Sequence, residues 1–90
     1  MSVTAVIPWN LVSITNKTKQ VKVEGSTVGE CLENLIEQYP EMKADLFNKD
    51  GKLHSDIIVY LNNKTTYPEQ LKKPVQDGDE LNISVLIGGG

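Results

Sequence analysis

Few side chains in this sequence are of a type and spacing that could do chemistry. There is one cysteine, Cys31, and one histidine, His54, so a thiol nucleophile with an imidazole base is formally available. Cys31 lies in a run of apolar residues at helical spacing, however, and a buried free cysteine packs as a small hydrophobe and stays inert. His54 sits among polar residues and reads as a solvated surface histidine. Carboxylates cluster at Asp77, Asp79 and Glu80 and at Glu30 and Glu33. A turn and an exposed helix face account for them, since neither setting raises a pKa by burial as acid–base catalysis requires. One cysteine and one histidine also cannot build a zinc cage, an iron–sulfur site or an internal disulfide, so no metal ligands are assigned.

What remains is the run Gly88-Gly89-Gly90. It is no phosphate-binding loop, because such loops hold the anion at the N-terminus of a following helix. The ordinary reading is a frayed end. The functional reading is a probe: glycine has no Cβ, so such a tail threads a channel too narrow for any other residue and leaves its carboxylate sterically open.

Composition narrows the classes further. The 90 residues are 39% hydrophobic with a net charge of −3, which fits one small globular domain. No apolar run approaches the ~20 residues of a membrane helix. The opening Met-Ser-Val-Thr lacks the basic and apolar regions of a signal peptide, so a cytoplasmic location and no membrane partner are expected. Arginine is absent, whereas nucleic-acid readers carry a basic face, so no nucleic-acid partner is expected.

The elements that must position the tail are legible as patterns. Val3 to Pro8 is an apolar run ended by a proline and reads as a strand. Trp9 to Lys19 is a longer connection. Gln20 to Glu24 alternates, with Val21 and Val23 inward, and reads as a second strand. Thr27 and Glu30 form a capping box. Val28, Cys31, Leu32, Leu35, Ile36 and Tyr39 then make one apolar stripe on a helix that Pro40 ends. Met42 to Phe47 is expected to be a short helical turn, and Asn48 to Gly51 a loop. Ile57 to Asn62 is the most strand-like segment. Asn62-Asn63-Lys64 reads as a tight turn, Thr65 to Leu71 as a short return segment, and Asp77-Gly78-Asp79 as a turn before a last strand, Leu81 to Ile87. One helix stripe is buried only against a sheet face, so the fold class is α+β, a mixed sheet of four to five strands with one main helix on one face. The domain is read as residues 1–87, with 88–90 as a flexible glycine tail.

These residues in this order carry a resemblance. The opening VTAVIP, the helix opener Ser26-Thr27-Val28 with Leu32 and Leu35, the strand IIVYLN ending at Asn62, the turn Asp77-Gly78-Asp79-Glu80 and the terminal glycines resemble the ThiS/MoaD family of ubiquitin-like sulfur carrier proteins. The run of three glycines departs from the family's usual pair, so either Gly90 is the reactive end or it is trimmed; Gly90 is taken as reactive. The resemblance implies a β-grasp fold with the first strand parallel to the last. It implies that the chain is no enzyme but a co-substrate. A ubiquitin-activating-type adenylating enzyme, using ATP and magnesium that this chain does not itself bind, would activate Gly90. A sulfide or persulfide sulfur would then give a thiocarboxylate, and a sulfur-acceptor synthase would consume it for molybdopterin, thiamine, cysteine or tRNA thiolation. The long first loop is more like MoaD or the cysteine-pathway carrier than the shorter ThiS.

A tail that becomes ordered on docking loses about 1–2 kcal/mol of entropy per residue, which a docking face must offset. Ile57, Val59 and Leu61 are read as facing the helix, with Ile58 and Tyr60 outward. Ile83, Val85 and Ile87 read as inward and Leu86 as outward. The docking set is taken as Ile58, Tyr60, Leu86 and Ile87 beside the tail, joined by Val6 and Pro8 from the first strand. Free in solution the chain is expected to be a monomer. Two other readings stay open: a ubiquitin-like modifier joined through Gly90 to target lysines, and a non-catalytic β-grasp binding module. The role of Trp9, core or contact, is open at this level.

Overall fold

The computed structural model describes residues 1–86. Its elements are β1 (Ser2–Val6), β2 (Gln20–Glu24), α1 (Val28–Gln38), a 3-10 turn (Pro40–Met42), α2 (Lys43–Leu46), β3 (Ile57–Leu61), β4 (Lys64–Thr65), a second 3-10 turn (Gln70–Lys72) and β5 (Glu80–Val85). The five strands form one sheet in the order β2-β1-β5-β3-β4. Only β1 and β5 run parallel, with Val6 level with Asn82; the other neighbours are antiparallel. The expected α+β architecture, with the first strand parallel to the last, is the one present.

The alternation in the strands sets the layers. Val3, Ala5, Val21, Val23, Ile57, Val59, Leu81 and Ile83 are buried on one sheet face. Against them lie Val28, Cys31, Leu32 and Leu35 of α1, with Met42 and Leu46 from the short helical stretch behind it. Burying an aliphatic side chain of this size contributes roughly 1.5–3 kcal/mol, so this sandwich of one helix on one sheet face is the main source of stability.

The helix starts where the capping box places it. Thr27 Oγ1 accepts from Glu30 N at 3.2 Å, and Glu30 Oε1 accepts from Ser26 N at 2.8 Å. Its last residue is Gln38, with Tyr39 as C-cap ahead of Pro40. The Asn62–Asn63 turn has positive φ at both residues, 50° and 71°, the conformation a two-residue hairpin needs.

Three boundaries differ from expectation. The β1 strand ends at Val6; one more ladder bond follows, Ile7 N to Lys19 O at 2.8 Å, before Pro8, which has no N–H to continue it. The return segment Thr65–Leu71 is strand only at its start, because Lys64–Thr65 alone pairs with β3. Beyond it the Gln70 side chain takes over the edge of β3, accepting from Val59 N at 2.8 Å and donating to Ile57 O at 3.4 Å. The last strand is described to Val85; Ile87 and the domain boundary drawn after it lie outside the described residues.

Candidate functional site

The approach to the tail is built by the centre of the sheet. β5 lies between β1 and β3; β1 pairs with it from Glu80 to Asn82, and β3 alone holds its last residues, to Val85. Register with β3 places Ile57 opposite Val85, and the ladder continues one bond further, with Leu86 N donating to Asp56 O at 2.7 Å. Leu86 itself is 52% exposed. Gly88, Gly89, Gly90 and Ile87, the remaining residues of the predicted site and docking set, lie outside the described residues.

The loop that supplies Asp56 is fastened by His54. Its ring Nε2 lies 2.8 Å from the Ala44 carbonyl oxygen, its backbone N–H donates to Leu46 O at 3.0 Å, and its carbonyl accepts from Ile57 N at 3.0 Å. His54 is half-buried, not the freely solvated residue its polar neighbours suggested. A shallow groove opens here, lined by Asn10, Leu11, Ala44, Asp45, His54, Asp56, Ile57 and Val85. It sits beside the last residues of β5.

The outer sheet face carries most of the predicted docking residues. Val6, Ile58 and Tyr60 are half-buried on the face away from α1, as is expected for strand positions that alternate with the core. The face is less apolar than expected. Asn82 stands between Val6 and Tyr60 in the register, and Ser84 stands opposite Ile58. Ser84 Oγ donates to Asn82 Oδ1 at 3.2 Å, so β5 lays a polar strip across the middle. Ile58, Tyr60 and Leu86 thus lie on adjacent strands, with Val6 set apart beyond Asn82. Pro8 is corrected: it is buried, because the chain turns in after Ile7 to pack Leu11, and it offers little surface to a partner.

The other singled-out side chains are structural. Cys31 is buried on the inner stripe of α1, and burial pushes its thiol up from its ordinary value, the opposite of what a nucleophile needs. The carboxylates of the 77–80 turn organise backbone. Asp77 Oδ1 accepts from Ser2 N at 2.8 Å, and Asp79 accepts from the Asn62 side chain at 3.0 Å and from Gln76 N at 2.7 Å. Those two bonds hold the Asp79 carboxyl below the usual carboxylate range. Among the described residues no group of three or more His, Cys, Asp or Glu side chains is placed to hold a metal ion, and no helix is long and apolar enough to cross a membrane.

The family model described as the ThiS family matches residues 7–90. This chain belongs to the ThiS family. As a ThiS-family chain it is 30% identical over 93 residues to the sulfur carrier protein CysO of Mycobacterium tuberculosis, covering both chains in full. It is 32% identical over 76 residues to small archaeal modifier protein 1 of Haloferax volcanii, covering 83% of this chain and 84% of that one. Among solved structures it superposes on a chain of the BexX/CysO complex of Amycolatopsis orientalis with a TM-score of 0.87, at 35% identity, covering 98% and 99% of the two chains. These relatives are small carrier and modifier proteins rather than enzymes, and the ubiquitin-like β-grasp is the fold that this ThiS-family chain shares with its neighbours.

Sequence reasoning missed three features. It left Trp9 unassigned, and the side chain is 71% exposed. It read His54 as solvated. It assigned no role to Asn34 and Gln38, whereas Asn34 Oδ1 accepts from Glu24 N at 3.0 Å and Gln38 Nε2 donates to Lys22 O at 2.9 Å. Their i, i+4 spacing puts both amides on one helix flank, the one available signal that they act together.

Proposed function

We propose that this chain is a sulfur carrier whose Gly90 carboxylate is adenylated by an ATP-dependent activating enzyme and converted to a thiocarboxylate. The observation that carries the reading is the family match, which runs through the three glycines to residue 90. The relatives named sulfur carrier protein support it.

The chemistry follows from the state of the terminus. A C-terminal carboxyl has a pKa of about 3.3–3.7, so near neutral pH it is an anion and a poor electrophile. Attack of its oxygen on the α-phosphorus of ATP expels pyrophosphate and leaves an acyl-adenylate. Sulfide attacks that carbonyl, the C–O bond to AMP breaks, and the chain ends in a thiocarboxylate. ATP and magnesium belong to the activating partner, and this chain binds no cofactor of its own. A sulfur-acceptor synthase then takes the sulfur. The part played by this chain is a rigid root for the tail and a surface to dock, with the tail itself as the reacting group.

C-terminal peptide mass spectrometry on protein from its native cells tests the reading. The Lys73–Pro74 bond resists trypsin, so the diagnostic peptide runs from Lys73 to Gly90. Sulfur in place of one oxygen on Gly90, trapped by alkylation, is the expected result. A bare carboxylate, even after incubation with the activating enzyme, ATP and sulfide, overturns it. The second reading, a modifier joined through Gly90 to target lysines, is favoured by the relative named small archaeal modifier protein 1; the same glycine found on a lysine amine is its signature. Full function after deletion of Gly88 to Gly90 would leave the binding-module reading standing.

A further inference from the structure

We infer that Trp9 is the side chain that anchors the activating enzyme at the root of the tail, seated in an apolar socket whose rim is cationic. This inference rests on the reading that Gly90 is adenylated. Exposed large hydrophobics among the described residues are Met1, Trp9, Tyr67 and Leu86. Two of these four stand where β5 releases the chain. β1 pairs with β5 only as far as Val6 and Asn82, and Trp9 lies beyond the end of β1, in the turn that follows Pro8. The next two residues, Asn10 and Leu11, line the same groove as Val85 and Ile57.

The exposure of Trp9 is built in. Leu11 turns back, its N–H donating to Pro8 O at 2.9 Å, and packs in the core. The first loop is then wound tightly: Lys17 N donates to Val12 O at 2.7 Å, and the buried Thr15 hydroxyl donates to Thr18 O at 2.6 Å. Pro8 and Leu11 are held inside, and Trp9, between them, is left 71% exposed. An indole is among the side chains that bury the most area, and Trp is one of the residue types enriched among interface hot spots.

The length of the tail identifies the occupant. Residues 87–90 span at most about 14 Å when fully extended. An enzyme acting on the Gly90 carboxyl must therefore bring the mouth of its channel against the surroundings of Leu86, and Trp9 lies within that footprint. The charge of the mouth follows from the groove it meets: Asp45 and Asp56 are exposed there, on a chain of net charge −3. A mouth carrying Lys or Arg complements these acids.

Trp9 is the only tryptophan in the chain, which makes a direct test possible. ATP–pyrophosphate exchange is measured with the activating enzyme of the source organism and full-length carrier, wild type, Trp9→Phe and Trp9→Ala. Trp9→Ala should raise KM roughly thirty-fold, the scale of a hot-spot residue, with kcat within about twofold, since an anchor acts equally on ground and transition states. Trp9→Phe should restore most of the loss. Circular dichroism should be unchanged, as an exposed side chain is being removed. In 5-fluorotryptophan-labelled carrier, the single fluorine resonance should shift on adding the enzyme. An unchanged KM for Trp9→Ala beside active wild type, or a fluorine resonance that does not move in the complex, overturns the anchor while leaving Gly90 adenylation intact. A fluorine resonance that shifts with carrier concentration alone assigns the face to a second copy of this chain and also overturns it. No exchange with wild type removes the adenylation reading and this inference together.

Discussion

Leu86 stands directly opposite Asp56, and its N–H donates to the Asp56 carbonyl at 2.7 Å, one step past the last residues of β3 and β5 that pair as strand. The chain is therefore held to the sheet up to Leu86, four residues before Gly90. An amide locked this way exchanges only when the ladder opens. In hydrogen-exchange NMR the Leu86 amide should be slowed at least ~100-fold against the unstructured rate. Exchange at the unstructured rate would place the root of the tail at Val85 instead.

Asp79 ties the last turn to the β3 hairpin through the Asn62 side chain and the Gln76 N–H. These bonds stabilise the charged form, so its folded pKa lies below its unfolded value of about 3.9. The stability it contributes is complete above the unfolded value and is lost as pH falls through the folded one. Urea midpoints measured from pH 6 down to pH 2 should show this loss in wild type. In Asn62→Ala, which removes the stronger of these two bonds to the carboxylate, the acid-side decline should be shallower. Identical pH profiles would show that the Asn62 bond does not set this ionisation.

Gly25 joins β2 to the start of α1 where there is no room for a side chain. A Cβ there would sit 2.7 Å from Cys31 N and 2.9 Å from the Glu30 carbonyl carbon, and neither backbone atom can swing away. Gly25→Ala should cost about 1–3 kcal/mol, as overpacking does, and lower Tm by roughly 5–15 °C in a domain of this size. Differential scanning calorimetry checks this, and an unchanged Tm would mean that the helix start shifts freely.

Asn34 and Gln38 cover the free edge of β2 by bonding Glu24 N and Lys22 O as a sixth strand would. Exposed edges invite pairing with another chain. Replacing both residues by Ala should lower stability by about 1–2 kcal/mol and produce concentration-dependent self-association, read by light scattering. A double variant that stays monomeric at high concentration would show that β2 is protected by other means.

The sequence alone determined the elements whose periodicity is local. Alternation at Val21 and Val23, the 3.6-residue stripe from Val28 to Tyr39, the Thr27–Glu30 box and the Asn62–Asn63 turn each follow from chemistry between near neighbours, and each is found in place. The buried, inert environment of Cys31 was legible for the same reason. What only the tertiary structure decided depends on segments far apart in the chain. Whether Trp9 or Leu11 turns inward is settled by how the first loop packs. His54 becomes a fastening because α2 presents the Ala44 carbonyl to it. Asn34, Gln38 and Gln70 become edge caps only once β2 and β3 lie within reach of their amides. The outer sheet face is divided by Asn82 and Ser84 because register sets β5 between Val6 and Tyr60. Period-two spacing says which residues share a face, but the order of strands across the sheet, fixed by long-range pairing, decides which of them become neighbours.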